Sequence, residues 1–242
     1  MKKQSGFTLV ELMLAIAVGL ILVAIIAQIY IGSKQTYRTQ DDLARLQEDG
    51  RYAIESVSRS LRLAGYWPDF SQTYLTLFPP STEAIGGTEG GGSTVPDTLI
   101  VRHYGSGPAG AADNSIRDCI GAGVDSITRA RLTFSVAGNA LQCARDGGAS
   151  IRLINNVTNL QILYGVDTGV DNVADIYQTA SPAPAWDNVR VVRLCIEMQT
   201  ANDNVTPSAQ TYIDCSGFPV MAADRRFHRT FFATVALRNR LP

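Results

Sequence analysis

The sequence predicts an α+β protein in which one long N-terminal helix packs on an antiparallel β-sheet domain. Three observations carry that expectation. An apolar run, "FTLVELMLAIAVGLILVAIIAQIYI" (7–31), opens the chain. A second stretch (33–65) continues it with apolar residues at helical spacing. Beyond residue 96 the apolar residues alternate, or cluster as β-branched runs, between short turn signals.

Leu12 to Ala27 carries no charge and no amide; Gln28 interrupts, and Ile29, Tyr30 and Ile31 resume. As a helix, residues 7–31 are about 37 Å long at roughly 1.5 Å per residue, more than the roughly 30 Å hydrocarbon core of a bilayer. Lys2 and Lys3 precede the run, which places the N-terminus in the cytoplasm. No small-x-small cleavage site follows it, as a secretory signal would require, so the segment stays with the protein. From residue 33, Leu43, Leu46, Ala53, Ile54, Val57, Leu61 and Ala64 step by three, four and seven along one helical face. Arg45, Glu48, Glu55 and Arg59 fill the other. Gly50 is the one weak position, costing about 1 kcal/mol relative to Ala. Gly65, followed by Tyr66-Trp67-Pro68, ends the helix.

The stretches "DTLIVRHY" (97–104), "ARLTFSV" (130–136), "ALQCAR" (140–145), "SIRLINN" (150–156), "NLQILYGV" (159–166), "VRVVRLCIEMQ" (189–199) and "RTFFATVALRN" (229–239) read as strands. Residues 85–97 read as a flexible loop and 179–187 as an extended connection. No internal repeat is visible. The four cysteines, Cys119, Cys143, Cys195 and Cys215, are even in number and show no C-x-x-C spacing. In an exported domain they read as disulfides. Of the three pairings, Cys119–Cys143 with Cys195–Cys215 joins local elements, and each bridge is worth roughly 3 kcal/mol. Zinc is the weaker reading, because only His103 and His228 could assist.

Glu11 is the anomaly of the apolar run. A carboxylate at membrane depth costs on the order of 2.5–3.5 kcal/mol, so it needs a partner or a reason. One reading has it snorkelling to the headgroups. A sharper one needs a cation. Cleavage after Gly6 would create an α-amine on Phe7, four residues before Glu11, within reach of that carboxylate or of a neighbouring subunit's. The formal net charge of −1 falls further once Lys2 and Lys3 leave, and no nucleic-acid partner is expected.

Gly6-Phe7-Thr8-Leu9-Val10-Glu11, after a short basic leader and before an apolar helix, closely resembles the class III signal of type IV pilins and type II secretion pseudopilins. The resemblance implies cleavage between Gly6 and Phe7 by a prepilin peptidase, N-methylation of Phe7, and Glu11 as the assembly glutamate. It divides the chain into a leader (1–6), a transmembrane and spine helix (7–64) and a periplasmic β-rich domain (65–242). "LQILYGVDTGVDNVADIYQTA", "WDNVRVVRLCIEMQT" and the C-terminal "DRRFHRTFFATVALRNRLP" are similar to the PilW group of minor pilins. That implies a pilin-like fold and a protein of the inner membrane that passes into a pilus on the cell surface. It also implies a role in priming assembly with other minor pilins and the major pilin, often with a tip adhesin. The rival readings are a minor pseudopilin of type II secretion and an exposed binding module on a pilin anchor.

Three further motifs carry weaker signals. "GSGPAG" (105–110) spells G-x-G-x-x-G after a strand, but Pro108 and the weak helix signal behind it read as a turn rather than a dinucleotide site. "DTGVDNVAD" (167–175) places Asp167, Asp171 and Asp175 at positions 1, 5 and 9 of an EF-hand-like loop. It lacks the ligand at 3, the glycine at 6 and the glutamate at 12, so calcium is only a side hypothesis and no other cofactor is expected. "DRRFHRT" (224–230) with Arg238 and Arg240 gathers positive charge, read as a solvated face ahead of a phosphate patch. No G-x-S-x-G or H-E-x-x-H occurs, and the chain is not expected to be an enzyme.

Overall fold

A computed structural model of the chain describes residues 8–69, 71–80, 83–169 and 171–240. Helix α1 (Leu9–Leu63) runs unbroken for 55 residues, so the apolar and amphipathic stretches form one element. The chain divides into two compact units between Ala44 and Arg45. In the first, every described residue from Thr8 to Arg38 is exposed, which leaves the apolar run bare around its whole circumference.

In the second unit, α1 buries Leu46, Ala53, Val57 and Leu61, the face that the spacing marks. Gly50 is a seat rather than a weak spot. A Cβ added there would lie 2.2 Å from Cζ of Phe231, so the ring rests directly on the helix backbone. The helix ends in a left-handed glycine, Gly65 (φ 75°), as expected. The Gly65 N–H donates to the Arg102 carbonyl at 2.9 Å. The Asn239 side-chain amide, from near the C-terminus, donates to the carbonyls of Arg62 (3.0 Å) and Ala64 (3.3 Å). Orphan carbonyls at a helix end are thus met by a side chain far away in sequence. A single turn, α2 (Tyr74–Leu77), follows; Tyr74 stacks on the buried Phe78.

The first sheet is an antiparallel meander of β1 (Ile85–Thr88), β2 (Thr98–His103), β3 (Ala130–Ala137), β4 (Ala140–Arg145) and β5 (Ile151–Asn155) in sequence order. The β3–β4 turn has both central residues at positive φ, Gly138 (56°) and Asn139 (53°), as a tight hairpin requires. The flexible loop expected at 85–97 is shorter than predicted, because its first four residues form β1 on β2. Gly87 belongs there for a reason of space: a Cβ would meet the Tyr164 hydroxyl at 2.1 Å.

The second sheet is built from β6 (Val157–Val166), β7 (Ile176–Gln178), β8 (Val189–Gln199) and β11 (His228–Ala236), in the order β11-β8-β6-β7. Between β8 and β11 in the chain lies a small hairpin of β9 (Thr211–Ile213) and β10 (Pro219–Met221). Leu160, Ile162, Leu194 and Ile196 from this sheet meet Leu99, Leu132 and Phe134 from the first in one core, which the stripe of α1 completes. The predicted antiparallel system of strands and the long helix are both present.

Candidate functional site

Gly6 and Phe7, the residues of the predicted cleavage, lie outside the described residues. Glu11 lies within them, and its carboxylate is engaged. The Thr8 N–H and hydroxyl both donate to Glu11 Oε2 at 2.9 Å, and the Glu11 N–H donates to the Thr8 hydroxyl at 3.3 Å. This is a capping box: the first donors of a helix are met reciprocally by Thr at the cap and Glu three residues on. Its signal in the sequence is T-x-x-E at residues 8–11, which the reading of Glu11 as the partner of an amine leaves out. Around it, Leu9, Val10, Leu12 and Met13 are all more than half exposed. So much bare apolar surface on one helix calls for a bilayer or other apolar helices around it.

The cysteines pair as expected. Cys119 bonds Cys143 with Cα atoms 6.3 Å apart, and Cys195 bonds Cys215 at 5.6 Å; no described cysteine is free. The first ties the long excursion between β2 and β3 to β4. The second ties the β9–β10 hairpin to β8. Under that hairpin the Glu197 carboxylate is buried and accepts the Cys215 N–H at 2.8 Å. Burial raises its pKa, although the Cys215 and Asn159 donors pull the other way. Sequence reasoning placed Glu197 on a strand without seeing that the hairpin covers it.

The loop after β6 does not assemble the three aspartates that an EF-hand-like reading requires. Asp167, buried, accepts the Asn172 N–H at 2.9 Å and forms an ion pair with Arg190 at 3.4 Å. Asp175 turns the other way and accepts the Thr168 hydroxyl (2.7 Å) and the amides of Thr168 and Gly169; the hydroxyl first, then the amides, hold its carboxyl below the usual range. Asp171 caps its own turn through the Val173 N–H. Among the described residues no group of three metal-ligating side chains converges, here or elsewhere.

The arginine-rich segment is largely internal stapling. Arg226 donates to the carbonyls of Thr200 and Ala201, and Arg225 donates to the Thr206 carbonyl at 3.0 Å. His228 is buried; its Nε2 lies 2.8 Å from Asp224 and its ring stacks on Tyr212 at 5.0 Å. "GSGPAG" is a turn with Gly107 and Gly110 at positive φ, and no helix opens on it. His103 is fully buried. Its Nδ1 sits 2.8 Å from the Tyr104 carbonyl, and its Nε2 has no partner among the described residues. Burial pushes its pKa down.

A groove of about 780 Å³ crosses the outer face of the second sheet. Gln161, Leu163, Arg193, Phe232 and Thr234 line it, with the Cys195–Cys215 bridge to one side and Glu89 to the other. Arg193 stacks over the Tyr177 ring at 4.3 Å. Burial first, and Asp97 second, push the Glu89 carboxyl up. Of the groove's lining, Phe232 is 57% exposed, and in and beside the β9–β10 hairpin Phe218 and Met221 are 67% and 72% exposed. This is surface suited to a macromolecular partner rather than a closed chamber for chemistry.

Comparison with known proteins agrees with both ends of the chain. Residues 1–27 match the prokaryotic N-terminal methylation motif. Residues 118–239 match the model of type IV pilus-assembly protein W. No curated protein matches the chain. Among solved structures, a type IV-like pilin from Thermus thermophilus aligns at 14% identity with a TM-score of 0.47, covering 81% of this chain and 98% of that one. With half of its length matched by that family model and the methylation motif at its N-terminus, the chain belongs to the type IV pilus-assembly protein W family.

Proposed function

We propose that this protein is a minor pilin that primes or supports type IV pilus assembly within a complex of minor pilins. One observation carries the reading: a helix with its apolar surface exposed all round, opening on Glu11, joined to a disulfide-bonded body that belongs to a pilus-assembly family. A prepilin peptidase would cut between Gly6 and Phe7 and methylate the new Phe7 amine. The helix would hold the protein in the inner membrane, with the body in the periplasm, until extraction into the fibre. There residues 7–31 would exchange lipid for the helices of other pilins. Glu11 would exchange the Thr8 cap for a Phe7 amine, its own or a neighbour's, in a setting where a charge pair is strong because water is absent. The test is mass spectrometry on sheared fibres. The reading expects a chain that begins at methylated Phe7 in the fibre fraction. An unprocessed chain confined to the membrane would overturn it.

A further inference from the structure

The second sheet ends on a strand whose outer edge is open. β11 pairs only with β8, in unbroken register from His228↔Gln199 to Ala236↔Val191. Two bonds fix which residues face β8. The Thr200 N–H donates to the Phe227 carbonyl at 2.9 Å, and the Leu237 N–H donates to the Arg190 carbonyl at 2.8 Å. In an antiparallel pair the residues alternate, so 227, 229, 231, 233, 235 and 237 turn their backbone groups inward. His228, Thr230, Phe232, Thr234 and Ala236 turn theirs away from the sheet.

The first outward position shows what the edge accepts. The His228 N–H donates to Gln210 Oε1 at 2.9 Å, and Gln210 Nε2 donates to the His228 carbonyl at 3.2 Å. One side-chain amide thus supplies the acceptor and donor that a neighbouring strand supplies with its backbone. At Thr230 the hydroxyl already donates to the Ile213 carbonyl of β9, and from Phe232 to Ala236 no backbone group of the outward residues has such a partner among the described residues. Exposed edges are normally blunted by charge, proline or a bulge. Here the outward residues are two threonines, a phenylalanine and an alanine, and Phe232 is 57% exposed beside the groove.

We propose that β11 receives an added strand, an extended segment of another subunit of the same fibre; this rests on the pilus reading above. Main-chain pairing along 232–236 would supply the affinity, and alternate side chains of the incoming strand would enter the groove next to Phe232. The surroundings specify its charge. Arg229 and Arg238 bracket the open stretch, both exposed and neither in an ion pair among the described residues, and Arg193 lies across from Thr234. The complementary segment is uncharged in the middle and acidic towards its ends.

Thr234→Pro removes one outward N–H and no bond to β8, so an edge strand accommodates it. Thr234→Val keeps the N–H. Phe232→Lys places a charge on the edge at an exposed side chain and is the second variant should proline disturb folding. Each full-length variant is expressed in cells lacking the native gene and followed through membrane insertion, leader cleavage, disulfide formation and recovery in sheared fibres. Thr234→Pro leaves a partner carbonyl unpaired and Phe232→Lys sets a charge against the incoming strand, so recovery of each should fall by about fivefold or more. Thr234→Val should match wild type, and all three should be inserted, cleaved and oxidised normally. Normal recovery of both disruptive variants overturns the strand addition alone. Absence of the wild-type chain from fibres overturns the pilus reading and, with it, the partner named here.

Discussion

Glu11 caps α1, and the proposed fibre role adds a pairing with an amine; the two can be separated. As a helix cap it needs only an acceptor, which glutamine also supplies at the third position of a capping box. As the partner of an amine it needs its charge. Glu11→Gln should therefore insert and be cleaved like wild type, while its recovery in sheared fibres drops as far as that of Glu11→Ala. Wild-type recovery of Glu11→Gln would reduce Glu11 to a cap. Gly50 gives a similar contrast. Alanine gains about 1 kcal/mol of helix propensity there, but its Cβ collides with Phe231, and overpacking of this kind costs about 1–3 kcal/mol. Gly50→Ala should destabilise the native chain and stabilise one that already carries Phe231→Ala, a reversal that denaturant titration of the four members of the cycle reads directly. His103 is held neutral by burial, so the unfolded chain takes up a proton near pH 6.5 that the folded chain refuses. Stability should therefore fall as pH drops through that value. Thermal midpoints of the full chain in detergent, taken from pH 7.5 down to 5.5, should slope less in His103→Leu. Equal slopes would place the pH sensitivity elsewhere.

Elements were legible where periodicity ran long enough to outweigh local chance. Helix α1 was readable because its apolar face recurs over many turns and Gly65 closes it. Strands β2 and β3 were readable because they bury alternate residues, and β8 because its β-branched run is buried along most of its length. Strands β1, β7, β9 and β10 were not. Each has three or four residues, and β1 is "IGGT", a composition that argues against a strand until β2 and the Tyr164 hydroxyl are in place to receive it. The disulfide pairing was legible from locality. The role of Asn239 as a cap on α1 was not, since nothing in a sequence links it to Arg62. In the β6–β7 loop the aspartates at those intervals turn to their own backbone and to Arg190, contacts that spacing does not reveal. Calorimetry of the full chain with millimolar Ca²⁺ should accordingly show no binding heat. A saturable heat abolished by Asp171→Ala would restore calcium to the loop.

For the whole molecule, the two units answer to different surroundings. The first exposes an apolar helix that water does not tolerate, and the second is an oxidised body with a buried core and an open edge at β11. A membrane anchor alone would account for the first, and a pseudopilin shares that signal. Family membership favours the pilus, and the β11 edge gives the body a means of joining other subunits. The most direct measurement is a count of surface pili by electron microscopy on cells lacking this gene and on the complemented strain, with secreted enzyme activity assayed alongside. A minor pilin that primes assembly predicts bald or sparsely piliated cells, restored by complementation, with secretion intact. Normal piliation with lost secretion would contradict that role and place the protein in a secretion pseudopilus.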